Sequence, residues 1–119
     1  MFFPEARVRV FLHGQPVDMR KSFDGLIALT RRALGQDPLS GHVFAFVNRR
    51  GNYLKALYFD RSGFCLWAKR LERGQFVGDG RRVPGGELDV TGLKLLLEGI
   101  EPVRRRLRYQ LGATPSKAG

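Results

Sequence analysis

The residues that could support catalysis are few in this 119-residue chain, and they are scattered. Phosphodiester chemistry needs two or three carboxylates around divalent metal ions, but acids such as Asp18 and Asp24 fall on predicted caps and turns and point to different faces of one helix. His13 and His42 have no convincing catalytic or metal-binding partner in the sequence. Tyr109 could be a recombinase nucleophile, although a lone helical tyrosine is more often a packing residue. We therefore predict no catalytic residue, no metal and no cofactor.

The basic residues offer a different chemistry, which is the binding of a polyanion. The chain holds 21 Lys and Arg against 11 Asp and Glu, a net charge of +10. The excess is concentrated in residues 41–82 and in a short run near the C-terminus, and clustering of this kind is typical of nucleic-acid-binding proteins. The alternative is a solvated basic surface without a partner. The predicted DNA contacts are Arg49, Arg50, Lys55, Arg61, Lys69, Arg70, Arg73, Arg81, Arg82, Arg104, Arg105, Arg106 and Arg108.

Aromatic residues are interleaved with these cations. Tyr53, Tyr58 and Trp67 share predicted strands with Lys55 and Lys69. Aromatic rings on a sheet beside a basic groove can stack on unpaired bases. The alternative is that the rings belong to the hydrophobic core, and we favour it for Tyr58 and Trp67.

Three predicted strands carry most of these residues, at 43–48, 53–59 and 64–71. The links between them, RRGN and DRSG, are rich in turn-forming residues. Because short links join antiparallel neighbours, we predict a three-stranded antiparallel meander. The alternating segment 7–12 predicts a fourth strand of the same small sheet.

Both faces of the predicted sheet are apolar. In its first strand, Val43, Ala45 and Val47 alternate with Phe44 and Phe46. A sheet with one solvated face alternates between apolar and polar residues instead. Helices or a partner must therefore cover the second face.

The first covering element is a helix predicted to begin at Asp18, whose carboxylate would cap it. An apolar stripe that includes Phe23 and Leu26 would pack on the sheet. Gly35 is predicted to stop the helix. Gly25 costs helix stability and could allow a close approach to a strand.

The C-terminal third predicts two shorter helices, at 92–100 and 103–111. The fold prediction is therefore α+β, with a small antiparallel sheet packed by two to three helices. One domain would span residues 1–111, followed by a disordered tail at 112–119.

The expected compartment is the cytoplasm. A single cysteine, Cys65, excludes an internal disulfide and fits a reducing environment. Glu5, Arg7 and Arg9 interrupt what would have to be the apolar core of a signal peptide. No segment reaches the ~18 apolar residues that predict a membrane span, so no membrane association is expected.

Several short sequence blocks run through the chain in order. They are DMRK at 18–21, FDGL at 23–26, DPLSGHVF at 37–44, NRRG at 48–51, GFCLWAKRLERGQF at 63–76 and LLLEGI at 95–100.

In this order and spacing, the blocks resemble the TnpB-type accessory protein of the insertion sequence 66 family of bacterial transposable elements. The resemblance covers roughly residues 8 to 108. It implies a DNA-associated protein that is required for transposition beside a separate transposase. We expect such a protein to be associated with the nucleoid when it is bound to DNA. The family has no established catalytic residues. The residues that carry the motif are Asp18, Met19, Arg20, Lys21, Asp24, Gly25 and Trp67.

Two functions remain open from the sequence. The first is a DNA-binding accessory factor whose cations contact the ends of the element. The second is a protein–protein adaptor that binds the transposase through the apolar second face of the sheet. A homo-oligomer is compatible with either function.

Overall fold

The computed structural model describes residues 8–76, 86–88 and 93. Within them, five strands form one sheet in the order β4-β3-β2-β1-β5. The elements are β1 (Val10–Leu12), α1 (Phe23–Arg32), β2 (Val43–Val47), β3 (Tyr53–Asp60), β4 (Gly63–Arg70) and β5 (Gly86–Leu88).

The predicted meander is present as β2, β3 and β4. β2 pairs antiparallel with β3, so that Ala45 lies opposite Ala56. β3 in turn pairs antiparallel with β4, from Tyr53 opposite Arg70 to Asp60 opposite Gly63. The period-two apolar pattern and the glycine-containing turns were therefore sufficient to predict this part of the sheet.

The expectation that the whole sheet is antiparallel is wrong. β1 lies within the predicted strand at 7–12, but it pairs in parallel with β2, with Val10 opposite Val43. The chain leaves β1, crosses over through α1 and returns alongside as β2, and parallel neighbours require such a long connection. A fifth strand, β5, pairs antiparallel with the other side of β1.

Helix α1 begins later than predicted. Its N-cap is Ser22, which makes no side-chain capping hydrogen bond, and the prediction that Asp18 caps the helix is wrong. The Asp18 carboxylate instead accepts hydrogen bonds from Arg20, in a turn that precedes the helix. The helix ends at Arg32, and Gly35 follows with φ +63°, as expected of a helix stop.

One face of the sheet is covered by α1, and we call it the helix face. Phe44, Phe46 and Leu57 of the sheet form a buried cluster there with Leu26 of α1 and with Val17. Each of these aromatic side chains contributes on the order of 2 kcal/mol through burial alone. In contrast to the predicted stripe, Phe23 at the start of α1 is 42% exposed.

The opposite face is also buried within the described part of the chain. Val43, Ala45 and Leu54 are at most 3% exposed. Phe76 and Leu93, both fully buried, belong to the same cluster. The second apolar face is thus covered by this chain itself, at least around these residues.

Leu93 has helical backbone and lies within the predicted second helix. The remainder of that helix, the predicted third helix at 103–111 and the predicted tail at 112–119 lie outside the described residues. Among the described residues, no helix has the length and apolar character that a membrane crossing requires.

Candidate nucleic-acid interface

The turn between β2 and β3 presents two arginines on a fixed backbone. The Gly51 N–H donates to the Asn48 carbonyl at 3.0 Å, and Gly51 adopts φ +75°. The Asn48 side-chain oxygen accepts hydrogen bonds from the backbone N–H groups of residues 52 and 53, at 3.0 and 3.1 Å. Arg49 and Arg50, both exposed, therefore project from a turn whose conformation is set by its own side chains.

The segment that follows β4 braces the same turn. The Gln75 side-chain amide donates to the Arg50 carbonyl at 2.9 Å. The Phe76 N–H donates to the Gly51 carbonyl at 2.6 Å. Exposed Arg73 is thereby held next to this turn, although it is distant from Arg50 in sequence.

The DMRK block reaches the same end of the sheet. The Val17 N–H donates to the Val47 carbonyl at 2.9 Å, so residues 18–21 lie beside the end of β2. The Asp18 carboxylate accepts from the Arg20 backbone N–H at 2.9 Å and from its Nη2 at 2.6 Å. The Arg20 side chain is nevertheless 91% exposed.

Lys55 connects residues 18–21, which we call the DMRK turn, to the sheet. Its Nζ donates to the Met19 carbonyl at 2.7 Å and to the Lys21 carbonyl at 2.8 Å. Gly25, in the first turn of α1, makes room for the Lys21 side chain, since an added Cβ would lie 3.2 Å from the Lys21 Cβ and Cγ. The close approach that Gly25 allows is thus to a lysine of the DMRK turn and not to a strand.

Tyr53 links Lys55 to β4. The Lys55 Nζ lies 5.8 Å from the centre of the Tyr53 ring, and the Arg70 Cζ lies 5.7 Å from it. Cations over a tyrosine ring are attracted by its π electrons. Tyr53 therefore orders two cations on the helix face, and of the three aromatics considered from the sequence it is the one placed among basic side chains.

The fold thus gathers cations from distant parts of the chain at one end of the sheet. Three carboxylates lie close to these cations in the sequence, namely those of Asp18, Asp24 and Glu72, and Asp18 is paired with Arg20. Within the described ranges, no carboxylate forms an ion pair with the arginines of the β2–β3 turn. We call this surface the basic end, defined by Arg20, Lys21, Arg49, Arg50, Arg70 and Arg73.

Arg61 lies at the other end of the sheet, in the β3–β4 turn. β3 has eight residues, so this turn is roughly 25 Å from the β2–β3 turn. Arg61 is exposed and adopts φ 53°, a left-handed conformation that costs a non-glycine residue about 1 kcal/mol.

Arg9, a further cation near that end, is paired with a carboxylate. Arg9 forms an ion pair with Glu87 at 2.7 Å and donates its backbone N–H to His42 Nδ1 at 3.0 Å. The Arg9 guanidinium holds the pKa of the Glu87 carboxyl below its usual value, chiefly through the hydrogen bonds that the guanidinium donates to that carboxylate. The predicted DNA contacts are therefore divided between the two ends of the sheet. Most of those that the structure describes, Arg49, Arg50, Arg70 and Arg73, lie at the basic end.

The opposite face of the sheet carries Lys69 and Trp67. Lys69 is half-buried and lies across from Leu54, so it points away from Arg70. Trp67 and Tyr58 pack against the core cluster of that face, in agreement with their interpretation as core residues. Burial, together with neighbouring Cys65, raises the pKa of Tyr58.

Sequence reasoning did not include Arg20 and Lys21 among the DNA contacts. It could have done so from charge, but their placement beside Arg49 depends on the crossover through α1. The predicted contacts that lie outside the described residues are Arg81, Arg82, Arg104, Arg105, Arg106 and Arg108.

No group of three His, Cys, Asp or Glu side chains suited to a metal ion occurs in residues 8–76, 86–88 and 93. The absence of catalytic residues stays a prediction.

The Asp18–Arg20 pair makes a prediction that can be tested in solution. Hydrogen bonds from the Arg20 side chain and backbone lower the pKa of Asp18 from 3.8 to about 2. Because the pKa of Asp18 is lower in the folded state, the pair stabilises the fold above about pH 4. This stabilisation is lost as the pH falls towards 2. We expect Arg20→Ala to raise the Asp18 pKa part of the way towards 3.8, because the side-chain hydrogen bonds are lost while the backbone N–H of residue 20 still donates to the carboxylate, as measured by carbon-13 NMR of the carboxyl group. Arg31→Ala should leave it unchanged; an unchanged Asp18 pKa in Arg20→Ala would contradict the pairing.

Comparison with known proteins gives a consistent result. The family described as IS66 Orf2-like protein matches residues 8–107. The uncharacterized protein y4jC of Sinorhizobium fredii is 40% identical over 104 residues, which cover 87% of this chain and 89% of the relative. A second uncharacterized protein of the same organism, y4hO, is 38% identical over 96 residues, which cover 79% of this chain and 82% of the relative. No solved structure matches the chain. The family match spans most of the sequence, and the chain belongs to the IS66 Orf2-like family.

Proposed function

We propose that this protein is a non-catalytic accessory factor for transposition that binds DNA at the ends of an insertion sequence and assists a separate transposase. It would act in the cytoplasm and associate with the nucleoid when bound. Membership of the IS66 Orf2-like family supports the transposition role. The observation that carries DNA binding is the basic end, where three separate segments place exposed cations together.

The geometry of the basic end suits phosphate contacts. All of its arginines except Arg70 project from turns or bends, where an exposed side chain can reach the phosphates of a DNA backbone. The turn of Arg49 and Arg50 is fixed by Asn48 and Gln75, so little backbone order has to be gained on binding. The net charge of +10 would also accelerate encounter with DNA.

The direct test is binding of the purified protein to labelled duplex that carries the terminal repeat of the element. Scrambled duplex and single-stranded DNA serve as comparisons, over a series of salt concentrations. We expect log K to fall linearly with log salt, with a slope of about −0.9 for each phosphate contacted on duplex DNA. Tighter binding to the terminal repeat would support recognition of element ends, and absence of binding at low salt would refute the proposal.

An adaptor for the transposase is the second candidate, and one observation favours it. β4 is an edge strand of the sheet, and no described strand pairs with its outer side. The Leu71 N–H donates to Asn52, so in the antiparallel pattern the backbone groups of Leu66 and Ala68 face outward. An extended segment of the transposase could add to this edge. The apolar face first considered for this role is buried within the chain around Val43 and Leu54.

The two candidates differ in their requirement for DNA. An adaptor would bind purified transposase in nuclease-treated samples, and Ala68→Pro would weaken that binding more than Ala68→Ser, because proline lacks the outward N–H. A DNA-binding factor would associate with the transposase only when DNA connects the two proteins.

A further inference from the structure

We propose that the DMRK turn is a second phosphate-contacting element of the basic end, in which Arg20 and Lys21 contact the DNA backbone and Lys55 is a positioning residue. This inference rests on the proposed DNA binding. It assigns contacts to residues that charge clustering along the sequence did not select, and it gives Lys55 a different role from the contact predicted above.

The position of the Lys55 ammonium carries the argument. Its two acceptors are carbonyls of residues 19 and 21, so it spans the turn from the side of the sheet. A lysine Nζ has three donors, and two of them are used here at 2.7 and 2.8 Å. Lys55 is also half-buried, whereas Arg20 and Lys21 are exposed. Half-buried Lys55 holds the backbone of the turn, and the exposed side chains of Arg20 and Lys21 remain available to a ligand.

Asp18 orients Arg20 without covering it. The carboxylate accepts from Nε and Nη2 of the guanidinium, and an arginine has further N–H donors on its outer side. A guanidinium held by a carboxylate in this way loses less rotational freedom when it meets a phosphate. Asp18 is thus a second positioning residue of the turn.

Gly25 has the corresponding effect on Lys21. The Lys21 side chain lies across Gly25 at the start of α1, where a larger residue would force it to shift. The two sequence blocks DMRK and FDGL are therefore parts of one structural unit. That unit is joined to the turn of Arg49 and Arg50 through the hydrogen bond between Val17 and Val47.

The first test is the double substitution Arg20→Ala/Lys21→Ala, assayed with the duplex and salt series described above. Loss of two phosphate contacts should reduce the magnitude of the salt slope by about 1.8 and the affinity by roughly 60-fold at 0.1 M salt. The matched control is Arg31→Ala/Arg32→Ala, which removes the same charge from the last turn of α1. We expect the control to leave the slope within about 0.5 of wild type.

The second test separates positioning from contact by a double-mutant cycle. Lys55→Met removes the ammonium and keeps an apolar stem. If Lys55 acts through the turn, Lys55→Met should weaken DNA binding in the wild-type background and have no further effect in Arg20→Ala/Lys21→Ala. If Lys55 contacts a phosphate itself, it would lower the slope by about 0.9 in both backgrounds, and its assignment as a positioning residue would be overturned.

Circular dichroism and thermal unfolding of each variant establish that it is folded. If Lys55→Met does not fold, Lys55→Arg takes its place in the cycle, because a guanidinium has a different reach to the two carbonyls. Wild-type protein that fails to bind DNA would overturn the proposed function and this inference together. Wild-type binding that depends on Arg49 and Arg50 but not on Arg20 and Lys21 would overturn this inference alone.

Discussion

Phe46→Ala should lower the free energy of unfolding by about 3–5 kcal/mol, a large fraction of the stability of a domain of this size. Phe46 is fully buried on the helix face, in the cluster that contains Leu26 of α1. Its ring centre also lies 5.6 Å from that of His13, in the loop that leads towards the DMRK turn. Removal of the ring would leave a cavity between the helix and the sheet, which close-packed neighbours fill only in part.

Chemical denaturation monitored by circular dichroism would measure this effect. At roughly 4 °C for each kcal/mol, the thermal midpoint should fall by about 12–20 °C. Phe23→Ala is the matched control, because it removes the same side chain from a position that is 42% exposed, and it should cost less than about 1 kcal/mol. Equal losses for the two variants would show that α1 does not pack on the sheet through Phe46.

The local elements of the fold were predictable because they depend on neighbouring residues. The meander follows from period-two alternation and from turn residues such as Gly51 and Gly63. The direction of β1 relative to β2 does not follow from alternation, since parallel and antiparallel strands can share it. The informative signal was the long, helix-containing connection from Leu12 to Val43, which is typical of a parallel crossover. Asp18 was misassigned because its carboxylate can form a local turn as readily as it can cap a helix.

The candidate site was predictable only in part, for a related reason. Clusters such as Arg49–Arg50 are visible as neighbours in the sequence. Their proximity to Arg20 is a consequence of topology, because β1 and β2 run in parallel and the DMRK turn follows the end of β1. In the sequence, nothing distinguished Lys55 from a lysine that is exposed on the surface. Its hydrogen bonds to two backbone carbonyls became apparent only when strand and turn were placed side by side.

Charge reversal of Arg49 and Arg50 to glutamate should weaken DNA binding by at least about 60-fold at 0.1 M salt. Loss of two phosphate contacts accounts for that factor through counterion release, and repulsion between the introduced carboxylates and the phosphates adds to it. The backbone of the turn should be retained, because Asn48, Gln75 and Phe76 hold it through bonds that do not involve the arginine side chains.

Arg31→Glu/Arg32→Glu changes the net charge by the same amount in the last turn of α1, a helix about 15 Å long whose first residue follows the DMRK turn. A protein attracted to DNA only by its overall charge would lose affinity equally in both variants, since long-range attraction depends little on where the charges lie. A protein that contacts phosphates through the basic end would lose far more when Arg49 and Arg50 are reversed. The salt slope distinguishes the two cases: it should decrease in magnitude by about 1.8 for the basic-end variant and by less than 0.5 for the control, while equal changes would contradict the assignment of the interface to this end.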